Sequence, residues 1–296
     1  MEILDGRLAS QTIKDELKLK TAQRAVEGKK TPHLAAVLIG ANGASETYVN
    51  AKVKACAEVG FKSTLIKLEE EVSESSLLNT IEKLNIDPDI DGILVQLPLP
   101  KQVSETKIIN AINPLKDVDG FHPISVGKMI QGLDTFIPAT PYGIMLLLKH
   151  YKIETGGLHA VVIGRSNIVG RPMSILLSGN TQPGNCTVTL CHSRTRNLEA
   201  FCREADLIVA ALGKPESITG SMIKEGAIII DVGITRVADA GKKSGFALKG
   251  DVHFDSVASK CSWITPVPGG VGPMTIAGLL KNTFRACEEQ HDNRGE

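Results

Sequence analysis

The 296-residue chain carries 33 basic and 33 acidic residues, is 42% hydrophobic and 22% charged, and so reads as a soluble globular protein of one large or two ordinary domains. The even charge balance argues against a nucleic-acid or membrane surface as its main partner. No apolar run approaches the roughly 18 residues of a membrane span, and the opening MEILDGRLASQTIKDELK lacks the pattern of a secretory signal.

In chain order, 7-RLASQTIKDELKLKTAQRA-25 has apolar positions at helical spacing, followed by the strand-like run 34-LAAVLIG-40. A helix is predicted over 46–58, a strand at 61-FKSTLIKL-68, a helix near 74–85 and a strand in 90-IDGILVQLPLP-100. Residues 113–143 are rich in proline and glycine and predict irregular loops, and 144-IMLLL-148 is a helix face or a buried strand. A second alternating series runs through 159-HAVVIG-164, 187-TVTLCH-192, 207-LIVAALG-213, 227-AIIIDVG-233 and 262-SWITPVP-268, before an amphipathic helix at 274–290. Apolar strands separated by helices imply largely parallel sheets covered on both faces, hence an α/β protein. The change of series places a boundary near 145–155. The six cysteines have no metal-ligand spacing and read as free buried thiols of a reducing compartment.

Three stretches carry candidate chemistry. In 159-HAVVIGRSNIVGRPMSILL-177, Gly164, Ser166 and Gly170 form GxSxxxG between a strand and a helix, a variant of the dinucleotide fingerprint; a ligand-free β-to-α turn is the alternative. The next strand ends in 190-LCHSRTRN-197, with no acid to meet ribose hydroxyls but with Ser193, Arg194 and Arg196, and with Arg165 available from the glycine loop. Arginines and a hydroxyl suit a ribose phosphate, so NADP is preferred over NAD, although solvated arginines on a polar loop would look the same.

In 47-TYVNAKVKA-55, Tyr48 and Lys52 stand four apart on one helical face. They are either a working pair or a half-buried tyrosine beside a surface lysine. Gln96 interrupts an apolar strand near its carboxyl end, where open parallel sheets place ligands. In 116-KDVDGFHP-123 one aspartate can be held inward by an ordered loop, or Asp117 and Asp119 can merely cap a turn. The stretch 265-TPVPGGVGPMT-275 suits a backbone wall beside a flat ligand, or a rigid connector.

Taken together, 45-SETYVNAKVKACAEVG-60, 94-LVQLPLP-100, 114-PLKDVDGFHP-123, 138-PATPYG-143, 164-GRSNIVGRP-172, 191-CHSRT-195 and 265-TPVPGGVGPMT-275 resemble, in order, the bifunctional methylenetetrahydrofolate dehydrogenase/cyclohydrolase family, called FolD in bacteria. The resemblance implies two α/β domains flanking a cleft, the second a Rossmann-like NADP-binding domain. It divides the chain into 1–147 (catalytic, folate-binding), 148–272 (NADP-binding) and a helix at 273–296 returning to the first domain. It makes Lys52 the principal catalytic group, supported by Tyr48 and Gln96, with Tyr48 as a wall against the folate. Asp119 is implied as the pterin anchor, and Pro268, Gly269 and Gly270 as backbone close to folate. Gly164, Arg165, Ser166, Gly170, Ser193 and Ile234 are implied in the cofactor site. A cytoplasmic homodimer, formed through the nucleotide-binding domain, is the family expectation. Ala139 and Tyr142 depart from common family residues, and His253 stands where many members have an acid. A monofunctional or NAD-using dehydrogenase, and a catalytically silent folate- or nucleotide-binding protein, are the competing readings.

Overall fold

The computed structural model describes residues 1–239, 241–242 and 245–292. By packing, the chain forms two units: Gln11–Ala139 with Ile276 onward, and Met1–Ser10 with Thr140–Thr275. Strand β1 (Glu2–Ile3) and the start of helix α1 (Gly6–Val26) therefore pack with the later residues, whereas the sequence reading grouped them within 1–147. The cause is that Glu2 and Ile3 lie parallel to Trp263 and Ile264, a two-residue pairing too short to leave a pattern in the sequence.

The 11–139 unit is built on β2 (His33–Ile39), α2 (Gly43–Glu58), β3 (Lys62–Leu68), α3 (Glu74–Ile86) and β4 (Gly92–Val95), with α4 (Glu105–Ala111) and α5 (Pro123–Ile130) after them. The three strands are parallel in the order β3-β2-β4. Every residue of the central strand β2 is buried, which is why its sequence is an unbroken apolar run, whereas the edge strand β3 alternates between exposed and partly buried positions. Val37, Ile93 and Val95 from the sheet pack with Leu77, Ile81 and Leu84 of α3 and with Ile108 of α4. Truncating a fully buried member such as Ile81 to alanine would cost on the order of 2–5 kcal/mol. Local signals start the helices: Asn42 Oδ1 accepts from Ala44 N (3.0 Å) and Ser45 N (3.2 Å) at α2, and Ser73 Oγ accepts from Ser76 N (3.2 Å) at α3. Lys52 is thereby carried on a well-capped helix, and Gln96 follows the last residue of β4.

The 140–275 unit comprises α6 (Ala139–His150), β5 (His159–Ile163), α7 (Gly170–Ser178), β6 (Thr187–Cys191), α8 (Leu198–Glu204), β7 (Leu207–Ala210), β8 (Ile228–Asp231), β9 (Thr235–Ala238), β10 (Phe246–Lys249), α9 (Phe254–Ala258) and β11 (Trp263–Ile264). Six strands form one parallel sheet, in the order β1-β11-β8-β7-β5-β6. The chain moves from β5 to β6 on one side and then to β7 on the other, so the order reverses at β5, as in a Rossmann-like sheet. β9 and β10 form a separate antiparallel hairpin. Val161, Ile163, Ile208, Ile229 and Ile264 supply the sheet's share of the core. Helix α10 (Val271–His291) begins here and contributes Ile276 onward to the 11–139 unit. There Asn282 Nδ2 donates to Val118 O (2.8 Å) and Ile137 O (2.9 Å), tying two loops together. No helix among the described residues is long and apolar enough to cross a membrane. All six cysteines are buried and unpaired.

Candidate active site

Helix α2 turns Lys52 inward: the residue is only 8% exposed, whereas Tyr48, one turn earlier, is 38% exposed. The amine Nζ donates to Gln96 Oε1 at 3.0 Å, and Gln96 Nε2 donates to Leu97 O at 2.8 Å. The second bond fixes which way the amide points, because only its nitrogen can donate to a carbonyl; its oxygen is thereby committed to the lysine. Gln96 N in turn donates to Val37 O (2.9 Å), so the glutamine is held by the sheet itself.

Burial lowers the pKa of Lys52, because a charged amine loses hydration there, and the nearby Asp119 carboxylate opposes that shift. The same pair acts reciprocally on Asp119: burial raises its pKa and the Lys52 charge lowers it. Asp119 is only partly shielded from solvent at its surface, yet its carboxyl is set deep enough among protein atoms for desolvation to dominate.

The two acids of 116-KDVDGFHP-123 have separate tasks. Asp117, 1% exposed, accepts from Phe121 N (3.2 Å) and His122 N (2.9 Å), and so closes the turn. Burial nevertheless pushes its pKa up to about 6. Gly120, at φ +71°, makes the turn possible, since a Cβ there would stand 2.6 Å from the backbone of Ile137 and Pro138. Asp119 takes no part in those two bonds, and its carboxyl is instead within electrostatic reach of Lys52. An apolar recess lined by Val95, Leu97, Ile108 and Phe121 also includes Asp117 and Asp119.

In the 140–275 unit, Gly164 closes β5 at φ +125°, and a Cβ there would lie 2.2 Å from Ala211 O. A Cβ on Gly170 would lie 1.9 Å from Gly164 O, so the start of α7 rests directly on the loop. Ser166 Oγ accepts from Val169 N (3.1 Å) and Gly170 N (3.4 Å), while Arg165 is exposed. After β6, His192 N donates to Thr195 Oγ1 (2.8 Å) and Arg194 N donates to His192 Nδ1 (3.1 Å); the resulting turn displays Ser193, Arg194 and Arg196 at the surface. Ile234 is 42% exposed, just before β9. Gly269 adopts φ +117°, its carbonyl accepts from Arg7 N (3.1 Å), and a Cβ on Gly6 would come within 1.8 Å of Gly270 O. The Pro268–Gly270 turn is therefore pinned by backbone at closest approach. His253 caps α9, its Nδ1 accepting from Ser256 N at 3.3 Å.

The family described as tetrahydrofolate dehydrogenase/cyclohydrolase matches this chain twice, its catalytic domain over residues 4–119 and its NAD(P)-binding domain over 138–291. The chain belongs to this family. Among tetrahydrofolate dehydrogenase/cyclohydrolase relatives, the bifunctional protein FolD of Cytophaga hutchinsonii is 60% identical, covering 97% of this chain and 99% of its own. The solved bifunctional FolD enzyme of Campylobacter jejuni is 48% identical with a TM-score of 0.91, over 98% of this chain and 99% of that one. The Trypanosoma brucei dehydrogenase-cyclohydrolase, solved with NADP cofactor and an inhibitor, is 36% identical with a TM-score of 0.91, over 96% of both chains.

Three residues that matter to the geometry of this tetrahydrofolate dehydrogenase/cyclohydrolase chain escaped the sequence reading. Asp231 and Asp251 are buried acids whose partners are backbone amides, and Asn282 reaches two loop carbonyls more than 140 positions away. A buried acid gripping distant amides leaves no spacing to read. The sole signal is an acid at the end of an apolar strand, as in 228-IIID-231.

Proposed function

We infer that this chain oxidises 5,10-methylenetetrahydrofolate to 5,10-methenyltetrahydrofolate with NADP and then hydrolyses the product to 10-formyltetrahydrofolate. The observation that carries the hydrolytic half is the buried amine of Lys52, lowered in pKa by desolvation and aimed by the Gln96 carbonyl. An amine with an accessible neutral form can take a proton from water and return one, the work that hydrolysis of a methenyl carbon requires.

NADP, when bound, supplies the hydride acceptor. The residues fit it: the cradle at Gly164 and Gly170 has no room for side chains, and the turn after β6 presents Ser193, Arg194 and Arg196 with no acid among residues 190–197. Arg165 and Ser193 are assigned to the ribose phosphate, with Ser166, Gly170 and Ile234 completing the site. The NADP bound by the Trypanosoma brucei relative supports the same preference.

On the folate side, Asp119 accepts from the amino-pyrimidine edge of the pterin, a pairing of a carboxylate with two N–H donors. Tyr48 lies against the ring system, and Pro268, Gly269 and Gly270 offer backbone to it. The positive form of Lys52 favours the ionised form of Asp119, while the Asp119 charge in turn limits how far burial lowers the Lys52 pKa. In the hydrolytic step the oxygen of water bonds to the methenyl carbon while Lys52 takes one of its protons. The carbon–N5 bond then breaks, N5 receives a proton from Lys52, and the hydroxyl proton leaves as the formyl carbonyl forms. One proton is released overall. Gln96 keeps the amine on station throughout.

The same reading includes a cytoplasmic homodimer joined through the nucleotide-binding unit. Its support is β6, an edge strand of the six-stranded sheet, with Leu190 36% exposed on it. The test of the activity is to supply methylenetetrahydrofolate with NADP or NAD and to follow reduced cofactor, methenyl intermediate and formyl product together. NADP should drive all three, in that order. Reduced cofactor at the rate of an enzyme-free control with both nucleotides would end the proposal.

A further inference from the structure

Two buried carboxylates in the 140–275 unit gather six backbone amides between them. Asp231, 4% exposed, accepts from Gly233 N (3.0 Å), Asp251 N (2.9 Å) and Val252 N (2.9 Å). Asp251, fully buried, accepts from three successive amides of the turn after β7: Leu212 N (2.6 Å), Gly213 N (2.9 Å) and Lys214 N (2.8 Å). Consecutive amides converging on one point form an anion nest, and here the chain supplies its own anion. Those three amides are consequently spent on Asp251 rather than offered to a nucleotide phosphate. Side chains are excluded around the pair: a Cβ on Gly233 would stand 2.4 Å from the Asp251 carboxyl carbon, and one on Gly250 would stand 1.8 Å from Asp231 Oδ2.

The location gives this arrangement its meaning. Ala211 N donates to Ile163 O (2.8 Å), and Ala211 O is the atom that a Cβ on Gly164 would strike. The turn held by Asp251 therefore abuts the glycine loop at the point where strand order reverses, between β5 and β7. In such sheets the dinucleotide crosses that point, its pyrophosphate on the first glycine loop and its phosphorylated ribose at the end of the neighbouring strand, here β6. The turn after β7 lies on the opposite side of β5 from β6, where the nicotinamide half would lie.

We propose that Asp251 is a positioning residue for hydride transfer: by gathering the amides of residues 212–214 it shapes the turn that receives the nicotinamide half of NADP, without touching the cofactor. This rests on the nucleotide-site reading above. Asp251→Asn keeps the size of the side chain but sets an NH₂ group against amide donors, so the turn must shift. A displacement of about 1 Å at a reacting centre lowers rates by roughly 100-fold.

The test uses the full-length enzyme with three readouts: NADP-dependent oxidation of methylenetetrahydrofolate, hydrolysis of supplied methenyltetrahydrofolate without NADP, and affinity for adenosine 2′,5′-bisphosphate, which carries the ribose-phosphate end alone. Asp251→Asn should slow oxidation about 10- to 100-fold while leaving hydrolysis and bisphosphate affinity within about twofold of the parent. Unchanged oxidation, or all three falling in step, overturns the proposal. Gly213→Val decides the matter on the same criteria should the first variant not fold, since Gly213 sits at φ +68° with open space around its Cβ, so valine strains the turn without striking a neighbour. A parent enzyme that fails to bind the bisphosphate would instead sink the nucleotide-site reading, which separates the two failures.

Discussion

Replacing Gly170 with alanine should separate the two activities. The added methyl carbon would stand 1.9 Å from Gly164 O, 2.4 Å from the Gly164 carbonyl carbon and 2.9 Å from Arg165 N, all backbone atoms with no rotamer to yield. An ordinary carbon–oxygen approach is about 3.3 Å, so the helix start and the glycine loop must part by roughly 1.4 Å. Since misplacement by about 1 Å costs on the order of 100-fold, kcat/KM for NADP should fall about 100-fold, or roughly 2.7 kcal/mol of transition-state stabilisation. The assay is NADP-dependent oxidation of methylenetetrahydrofolate, run beside hydrolysis of methenyltetrahydrofolate in the absence of NADP. Hydrolysis should stay within about twofold of the parent, because Lys52, Gln96 and Asp119 belong to the other packing unit. A variant that oxidises with an NADP kcat/KM within about threefold of the parent would refute the cradle as the cofactor's seat.

Three further predictions follow from single groups. Asp119→Ala should raise the KM for folate about 10- to 100-fold while leaving that for NADP nearly unchanged; because the Asp119 charge holds the Lys52 pKa up, its loss should also move the lysine-dependent limb of the hydrolysis pH profile to lower pH, and equal effects on both ligands with an unmoved limb would refute the assignment. Arg165→Ala should weaken NADP use by about 10-fold and NAD use much less, since only NADP carries the ribose phosphate; equal losses would make its role structural. Asp117 has its pKa raised to about 6, against about 3.9 in an unfolded chain, so between those values the folded state binds more protons and this group's contribution to stability falls as pH rises. Asp117→Asn removes that slope, and its melting temperature relative to the parent should climb between about pH 4 and pH 7, by the equivalent of up to about 3 kcal/mol; a difference flat in pH would contradict the assignment.

The sequence made the main sheets legible because their central strands are buried on both faces, which leaves 34-LAAVLIG-40 and 159-HAVVIG-164 as short unbroken apolar runs. Four-residue spacing placed Tyr48 and Lys52 on neighbouring turns, yet it could not say that Lys52 is buried and Tyr48 largely at the surface, because that depends on Gln96 meeting the amine from another strand. Helix α5 was hidden in the proline- and glycine-rich stretch, where Pro123 stands at its first turn rather than breaking it. The β9–β10 hairpin and β1 are four- and two-residue strands without readable periodicity. In 116-KDVDGFHP-123 the letters allowed either aspartate to cap the turn. Only the amide bonds to Asp117 separate the structural acid from Asp119.

The most direct test of the account is the hydrolysis of purified methenyltetrahydrofolate by Lys52→Met across the pH range. Methionine fills the buried space and removes the amine, so enzyme-dependent hydrolysis should drop by about 10²- to 10⁴-fold and lose its lysine-dependent pH limb, with binding of NADP retained. Hydrolysis at the parent rate with the parent pH profile would contradict the claim that this buried amine moves the protons.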